Sequence, residues 1–148
     1  LQLDSVIGHV KPRDEATLDA FFALERPTCT SLVLGGVRFK YQPVLSEHTV
    51  EEDIETAKGR CDAICVTGDG TGMEAPIDKI RRFKLACGDT PLVICSGVNV
   101  DNCAEQLAVA DGAVVGSFFK DTGKDTGDVS AEKIELLMQQ VRALRGKL

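Results

Sequence analysis

Two short apolar runs, Pro91 to Ile94 and Gly112 to Val115, flank the helix-compatible segment NVDNCAEQLAVA, and each runs into small residues. The first continues through Ser96-Gly97-Val98 and the second ends in Gly116-Ser117. Two continuous apolar strands joined by a helix make a βαβ unit, which needs a parallel sheet. Small residues at both strand ends leave backbone N–H groups accessible to a ligand. Paired turns of this kind after the last two strands form a phosphate site in many parallel (β/α) barrels.

The rest of the chain repeats the alternation. DEATLDAFFALE, 14–25, predicts a helix with Leu18, Phe21 and Phe22 on one face, stopped at Arg26-Pro27. The preceding Val6, Ile7 and Val10 suit a short strand or a loop. Strands are expected near 31–39, 62–67, 91–96 and 112–116, and Gly35-Gly36 in the first marks a close backbone approach or a bulge. Thr49 and Glu52 form a capping box for a helix that buries Val50, Ile54 and Ala57. Pro76 opens another helix, with Ile77, Ile80 and Phe83 inward, and Gly88 ends it. Ser130 caps the last, striped with Ile134, Leu137, Met138, Val141 and Leu144. The strands read as nearly unbroken apolar runs, as strands buried on both faces do. The expected fold is α/β: four parallel βα units with a leading helix, as in half of a (β/α)8 barrel, within residues 1–148 as one domain. An open doubly wound sheet is the alternative, since a chain of 148 residues has a usual size for it.

Composition narrows the partners. A net charge of −6 with no basic stripe argues against nucleic acid. No run approaches the roughly 18–20 apolar residues of a membrane span, and LQLDSVIGHVKPRDE lacks the pattern of a signal peptide. Six cysteines without CxxC or zinc-like spacing fit a reducing compartment, the cytoplasm or an organellar matrix, and no metal site is expected. Cys65 and Cys95 lie inside apolar runs, where a thiol behaves as a small hydrophobe. A catalytic cysteine has no histidine tied to it, because His9 and His48 sit in poorly placed loops.

The candidate anion site is Ser96, Gly97, Val98, Gly116 and Ser117, helped by a helix N-terminus near Asn99. The alternative is that these glycines only permit tight turns. Asn102 either braces the first turn or is a polar surface residue. Thr67, Gly68, Asp69, Gly70, Thr71 and Gly72 form a substrate loop or an ordinary one, and no Walker motif is present. Lys40, at a strand end, is a candidate for phosphate pairing, carbonyl polarisation or a Schiff base, against a solvated lysine. Lys120 is a weaker candidate for the same charge, and Glu74 is the nearest general base.

FKY at 39–41, DAICVTGDGTG at 62–72, PLVICSGVNVDN at 91–102 and DGAVVGSFFK at 111–120 resemble, in order, the second half of the BtpA/SgcQ family. The resemblance covers about Val33 to Leu144 and implies a ribulose-phosphate-binding-type barrel, with the strand near 31 as the fifth of eight. The family's first four strands would then be absent, so the chain is expected to homo-oligomerise or to be part of a longer polypeptide. By the same resemblance, one branch is linked to photosystem I biogenesis and another, in sugar-metabolism gene sets, is described as nucleosidase-like. Three functions follow as expectations. They are a phosphate-binding barrel acting on a phosphorylated sugar or nucleoside, a non-catalytic assembly factor, and a nucleotide- or flavin-phosphate binder on an open sheet. No cofactor is specified by the residues.

Overall fold

The computed structural model describes residues 1–7, 15–45 and 47–146. Five parallel strands form one sheet: β1 (Gln2–Leu3), β2 (Leu34–Gly36), β3 (Ala63–Val66), β4 (Leu92–Ile94) and β5 (Gly112–Ala113). They lie in the order β1-β2-β3-β4-β5. Between and after them run α1 (Glu15–Glu25), α2 (Val50–Lys58), α3 (Ile77–Cys87), α4 (Cys103–Leu107) and α5 (Ala131–Arg145). Right-handed crossovers between strands in unbroken sequential order put every helix on the same side of the sheet. A doubly wound sheet requires the strand order to reverse at a switch point. No reversal occurs, so the open-sheet alternative and the flavin-type reading that depended on it lose their footing. The architecture is a segment of a (β/α)8 barrel.

Two corrections follow. The sheet has five strands, not four, because Gln2 and Leu3 pair with Leu34 and Gly35. The ladders are also shorter than the apolar runs: β2 is confined to Leu34–Gly36 within 31–39. Beyond Gly36 the chain bends out of the sheet, with Arg38 and Tyr41 both at positive φ (47° and 61°). The expectations resting on His9, Val10 and Asp14 fall outside the described residues.

The main core lies between sheet and helices. Ile64 and Val66 of β3 and Leu92 and Ile94 of β4 meet Ile54, Ala57, Ile80, Phe83 and Leu137. The opposite face of the sheet, the inner wall of a barrel, carries a smaller cluster of Phe39, Cys65 and Cys95 beside Leu34 and Val93. Side chains alternate across a strand, so Cys65 must face away from Ile64 and Val66. The glycines of β2 serve close approach: a Cβ on Gly36 would sit 2.2 Å from the carbonyl oxygen of Asp4, and one on Gly35 would sit 2.6 Å from Cys61 Sγ.

Local signals produce the helices largely as expected. The capping box forms, with Thr49 Oγ1 accepting from Glu52 N–H at 3.2 Å and Glu52 Oε2 accepting from Thr49 N–H at 2.7 Å. Helix α1 is the exception. None of its residues is buried, and Phe21 is 55% exposed, so the Leu18–Phe21–Phe22 face is not a core face. Charge holds the helix instead. Arg60, 2% exposed, reaches Asp19 Oδ1 at 2.7 Å, Glu15 Oε2 at 2.7 Å and the Val6 carbonyl at 2.8 Å, and lies 5.8 Å from the Phe22 ring centre. Arg60→Met should lower unfolding free energy by about 2–3 kcal/mol, since the freed carboxylates can rehydrate but the Val6 carbonyl loses its donor. Urea denaturation with an unchanged m-value checks this; a shift in α1 alone, seen as early local protease cutting, is the accompanying sign.

Candidate functional site

A cavity of about 260 Å³ opens at the C-terminal ends of the strands, where parallel barrels place their chemistry. Its wall includes Lys40, Thr71, Gly72, Cys95, Ser96, Gly97, Val98, Gly116 and Ser117. Residues expected to cooperate from four separate stretches of sequence thus surround one space. Gln2, Val114, Phe118 and Gly123 also line it and were not anticipated, and Asn99, expected only beside a helix N-terminus, lines it too. Gly123 belongs to the polar loop after Lys120, which folds back because Lys120 and Val129 make an antiparallel bridge. Lys133 Nζ secures that loop at the Lys120 carbonyl, 2.6 Å away.

The first turn is built for close backbone approach. Gly97 has φ +69°, and a Cβ there would meet Glu74 N and Cα and Met73 C at 2.4 Å each. Only glycine fits under the neighbouring loop. Asn102 turns out to be the brace: its Oδ1 accepts from Asn99 N–H at 2.9 Å and its Nδ2 donates to the Gly97 carbonyl at 3.0 Å. Ser96 Oγ accepts from Gly68 N–H at 2.7 Å, tying this turn to the glycine loop. Among the described residues no hydrogen bond occupies the backbone N–H of Gly97, Val98, Gly116 or Ser117. Buried N–H groups are normally satisfied, and Val98 is buried. The helix N-terminus expected near Asn99 needs correction, because α4 begins only at Cys103 and spans five residues. The second turn likewise leads into a single 3₁₀ turn, Ser117–Phe119. Backbone donors, not helix dipoles, are what this site offers an anion.

The glycine loop divides. Thr71 and Gly72 line the cavity, and a Cβ on Gly72 would lie 3.2 Å from Ser117 Oγ. Thr67 is buried below: its Oγ1 accepts from Lys40 N–H at 2.8 Å and its carbonyl accepts from Lys79 Nζ at 2.7 Å. Asp69 points to a separate groove, which it lines with Lys79. Gly68 is a spacer where no side chain fits, since a Cβ would meet the Glu74 backbone carbonyl at 2.5 Å, whereas one on Gly70 would meet the flexible Met73 side chain at Sδ, 2.9 Å away. Tyr41, unanticipated, pins the loop by accepting from Thr71 N–H at 2.7 Å. That bond, with the Lys40 charge as a smaller contribution, holds the Tyr41 phenol below its usual value.

Lys40 has no carboxylate within ion-pair distance among the described residues, and its Nζ sits 5.6 Å from the Phe39 ring centre. It lines both this cavity and the groove that holds Asp69 and Lys79, and brings a positive charge to their shared edge. Glu74 does not line the cavity; its Oε1 accepts from buried Gln106 Nε2 at 3.0 Å. Lys120 and His48 also stand outside the lining. No group of three or more His, Cys, Asp or Glu able to hold a metal occurs among the described residues. None of the described helices is long and apolar enough to cross a membrane.

Comparison with solved structures places the same fold in phosphoribosyl anthranilate isomerase from Thermus thermophilus, at TM-score 0.55 and 21% identity over 76% of this chain and 51% of that one. The N-(5'-phosphoribosyl)anthranilate isomerase of Pyrococcus furiosus gives 0.54 and 16% over 84% and 57%. At these identities the likeness is one of fold. In sequence, an uncharacterized protein of Pyrococcus abyssi is 31% identical over 115 residues, 78% of this chain and 44% of the relative. The Escherichia coli sgc region protein SgcQ is 32% identical over 84 residues, 57% of this chain and 31% of its own length. The chain therefore spans less than half the length of the curated relatives it matches. The BtpA family model matches residues 25–143, which include both small-residue turns, the glycine loop and Lys40, and the chain belongs to the BtpA family.

Proposed function

We propose that this chain binds a small phosphorylated sugar or nucleoside, with the phosphate held by the turns 96–98 and 116–117 and by Lys40. The observation that carries the reading is the set of four backbone N–H groups, at Gly97, Val98, Gly116 and Ser117, without internal partners around a cavity that also holds an unpaired lysine among the described residues. Donors in a concave backbone, joined by a positive charge, suit an oxyanion. A volume of about 260 Å³ accommodates a phosphate together with a small sugar, and Thr71, Gly72 and Gly123 on its wall are placed to contact the rest of the ligand. The phosphoribosyl compounds in the names of the structural neighbours fit such a ligand, and membership of the BtpA family supports it.

Titration calorimetry of the full chain with inorganic phosphate, ribose 5-phosphate and unphosphorylated ribose tests the reading. Both phosphates should bind and ribose should not, with affinity falling as salt rises. Equal behaviour of ribose and ribose 5-phosphate overturns it. A second reading, a non-catalytic assembly factor that retains the anion site, draws on the position of Glu74, whose carboxylate is taken up by Gln106 outside the cavity. Turnover of any member of a panel of ribose phosphates and nucleosides excludes that reading.

A further inference from the structure

The groove of Asp69 and Lys79 has a volume of about 740 Å³ and meets the anion cavity at Lys40, which lines both. Most of its wall is apolar: Phe39, Val50 and Phe83 are buried there, while Tyr41, Pro43 and Val44 stand exposed. Two charged groups on the wall keep bonding capacity. Asp69 is exposed and has no hydrogen bond or ion pair among the described residues. Lys79 Nζ donates one N–H to the Thr67 carbonyl, at 2.7 Å, and keeps two. The other charges are engaged, Arg38 by Asp53 at 2.8 Å, Arg82 by Glu51 at 2.8 Å and Asp78 by Arg81 at 3.3 Å. A mostly apolar hollow with a few convergent polar groups is the usual form of a small-molecule site.

Tyr41 joins the two spaces. It lines the groove, and its hydroxyl accepts from the N–H of Thr71, which lines the anion cavity. The residue is 72% exposed although that bond tethers the tip of its ring. Its backbone is held as well. Lys40 N–H donates to Thr67 Oγ1 at 2.8 Å, and Arg38 Nε donates to buried Asp53 at 2.8 Å. Arg38 and Tyr41 both have positive φ, a conformation that large residues keep where their surroundings impose it, often at ligand clamps. The outcome is a fixed aromatic ring presented to solvent at the junction of groove and cavity.

We infer that the groove is the subsite for a nucleobase, so that the ligand of this site is a nucleoside monophosphate. The base stacks on Tyr41, one of its N–H groups donates to Asp69, and a ring nitrogen or carbonyl accepts from Lys79. The position of the phosphate rests on the anion reading above; the base subsite rests on the groove. The spacing suits a ribose between them. A Cβ on Gly70 would lie 3.2 Å from the Tyr41 hydroxyl and one on Gly72 would lie 3.2 Å from Ser117 Oγ. Those glycines are two residues apart, at most about 7 Å of chain. A sugar phosphate alone leaves the apolar groove and the Tyr41 ring without a partner, whereas stacking on an aromatic ring adds affinity for any base.

The test compares adenosine 5'-monophosphate, ribose 5-phosphate and adenosine on the full chain, by calorimetry and by tyrosine fluorescence corrected for ligand absorbance. The chain holds one tyrosine and no tryptophan, so the emission reports Tyr41 alone. The nucleotide should bind about tenfold or more tighter than ribose 5-phosphate and quench the emission. Adenosine should quench it at higher concentration, and ribose 5-phosphate should leave it nearly unchanged. Two variants separate the ring from the loop it tethers. Tyr41→Phe keeps the ring, and Tyr41→Asn removes it with a residue that tolerates positive φ. Both lose the bond to Thr71, so a loss of ribose 5-phosphate affinity common to both reports the loop. The ratio of nucleotide to sugar-phosphate affinity reports the ring: it should persist in Tyr41→Phe and fall close to one in Tyr41→Asn. Equal affinities in the parent protein, or an unchanged ratio in Tyr41→Asn, overturn the base subsite. If ribose 5-phosphate binds and the nucleotide binds no tighter, the base subsite fails while the anion reading stands. If adenosine quenches Tyr41 but neither inorganic phosphate nor ribose 5-phosphate binds, the anion reading fails while the base subsite stands.

Discussion

Gly97→Ala should destabilise the protein by about 3 kcal/mol and weaken the anion site with it. Two costs add. The left-handed φ of +69° costs an L-residue about 1 kcal/mol. The new methyl would also lie 2.4 Å from backbone atoms of Met73 and Glu74, which cannot rotate away as a side chain can, and such overpacking costs about 1–3 kcal/mol. Relief requires the Met73–Glu74 segment to move outward, which pulls on the bond between Glu74 and Gln106 and displaces the adjoining Thr71 and Gly72 from the cavity wall. Gly116→Ala is the matched control. Its φ is −124°, and nothing lies within 4 Å of the added Cβ, so stability should stay within about 0.5 kcal/mol of the parent. Thermal and urea melts of the two variants give the comparison. Equal stability would mean that the close packing of the 73–74 segment over the first turn is absent in solution.

Ser117→Asp should leave the melting temperature nearly unchanged and weaken phosphate binding by at least about 100-fold. Ser117 begins the 3₁₀ turn after β5, is only partly buried, and faces the cavity near Gly72. A carboxylate roughly 5 Å from a bound phosphate, at an effective dielectric near 20, costs about 3 kcal/mol per unit charge. Each 1.4 kcal/mol corresponds to about tenfold in affinity. Ser117→Ala removes only a hydroxyl donor and should cost about fivefold, which separates charge repulsion from the lost hydrogen bond. Calorimetry with ribose 5-phosphate reads all three proteins. An affinity for ribose 5-phosphate that is unchanged in Ser117→Asp would move the anion away from the second turn altogether.

Both variants probe residues that the sequence singled out before the fold was seen. Gly97 and Ser117 stand where apolar runs give way to small residues, and the physical need for exposed N–H groups at those points is local. The same holds for the Thr49–Glu52 capping box, where residues three apart complete each other's hydrogen bonds without help from the rest of the chain. The stripe of α2 at Val50, Ile54 and Ala57 was legible for the same reason, because one helical period is enough to define a face. Helix α1 shows the limit of that logic. Its apolar face was plain, yet what it packs against is set by Arg60, 41 residues from Asp19, and an ion-pair anchor leaves no periodic trace.

The site divides in the same way. Residue type and local order were enough to place the strand-end turns, the glycine loop and Lys40 on one rim, because parallel strands joined by right-handed crossovers bring their C-terminal ends together. What each residue does there depended on neighbours distant in sequence. Asn102 became a brace through Gly97, Glu74 was occupied by Gln106, Thr71 was pinned by Tyr41, and Cys65 and Cys95 came to share a wall. Hydrogen bonds act over a few ångströms, so they are decided by which strands and loops lie side by side. Sequence alone determined that the chain forms a parallel α/β sheet with accessible backbone at two turns. Only the tertiary structure decided the sequential strand order, the fifth strand and the contents of the cavity, because those depend on contacts between segments that no local periodicity encodes.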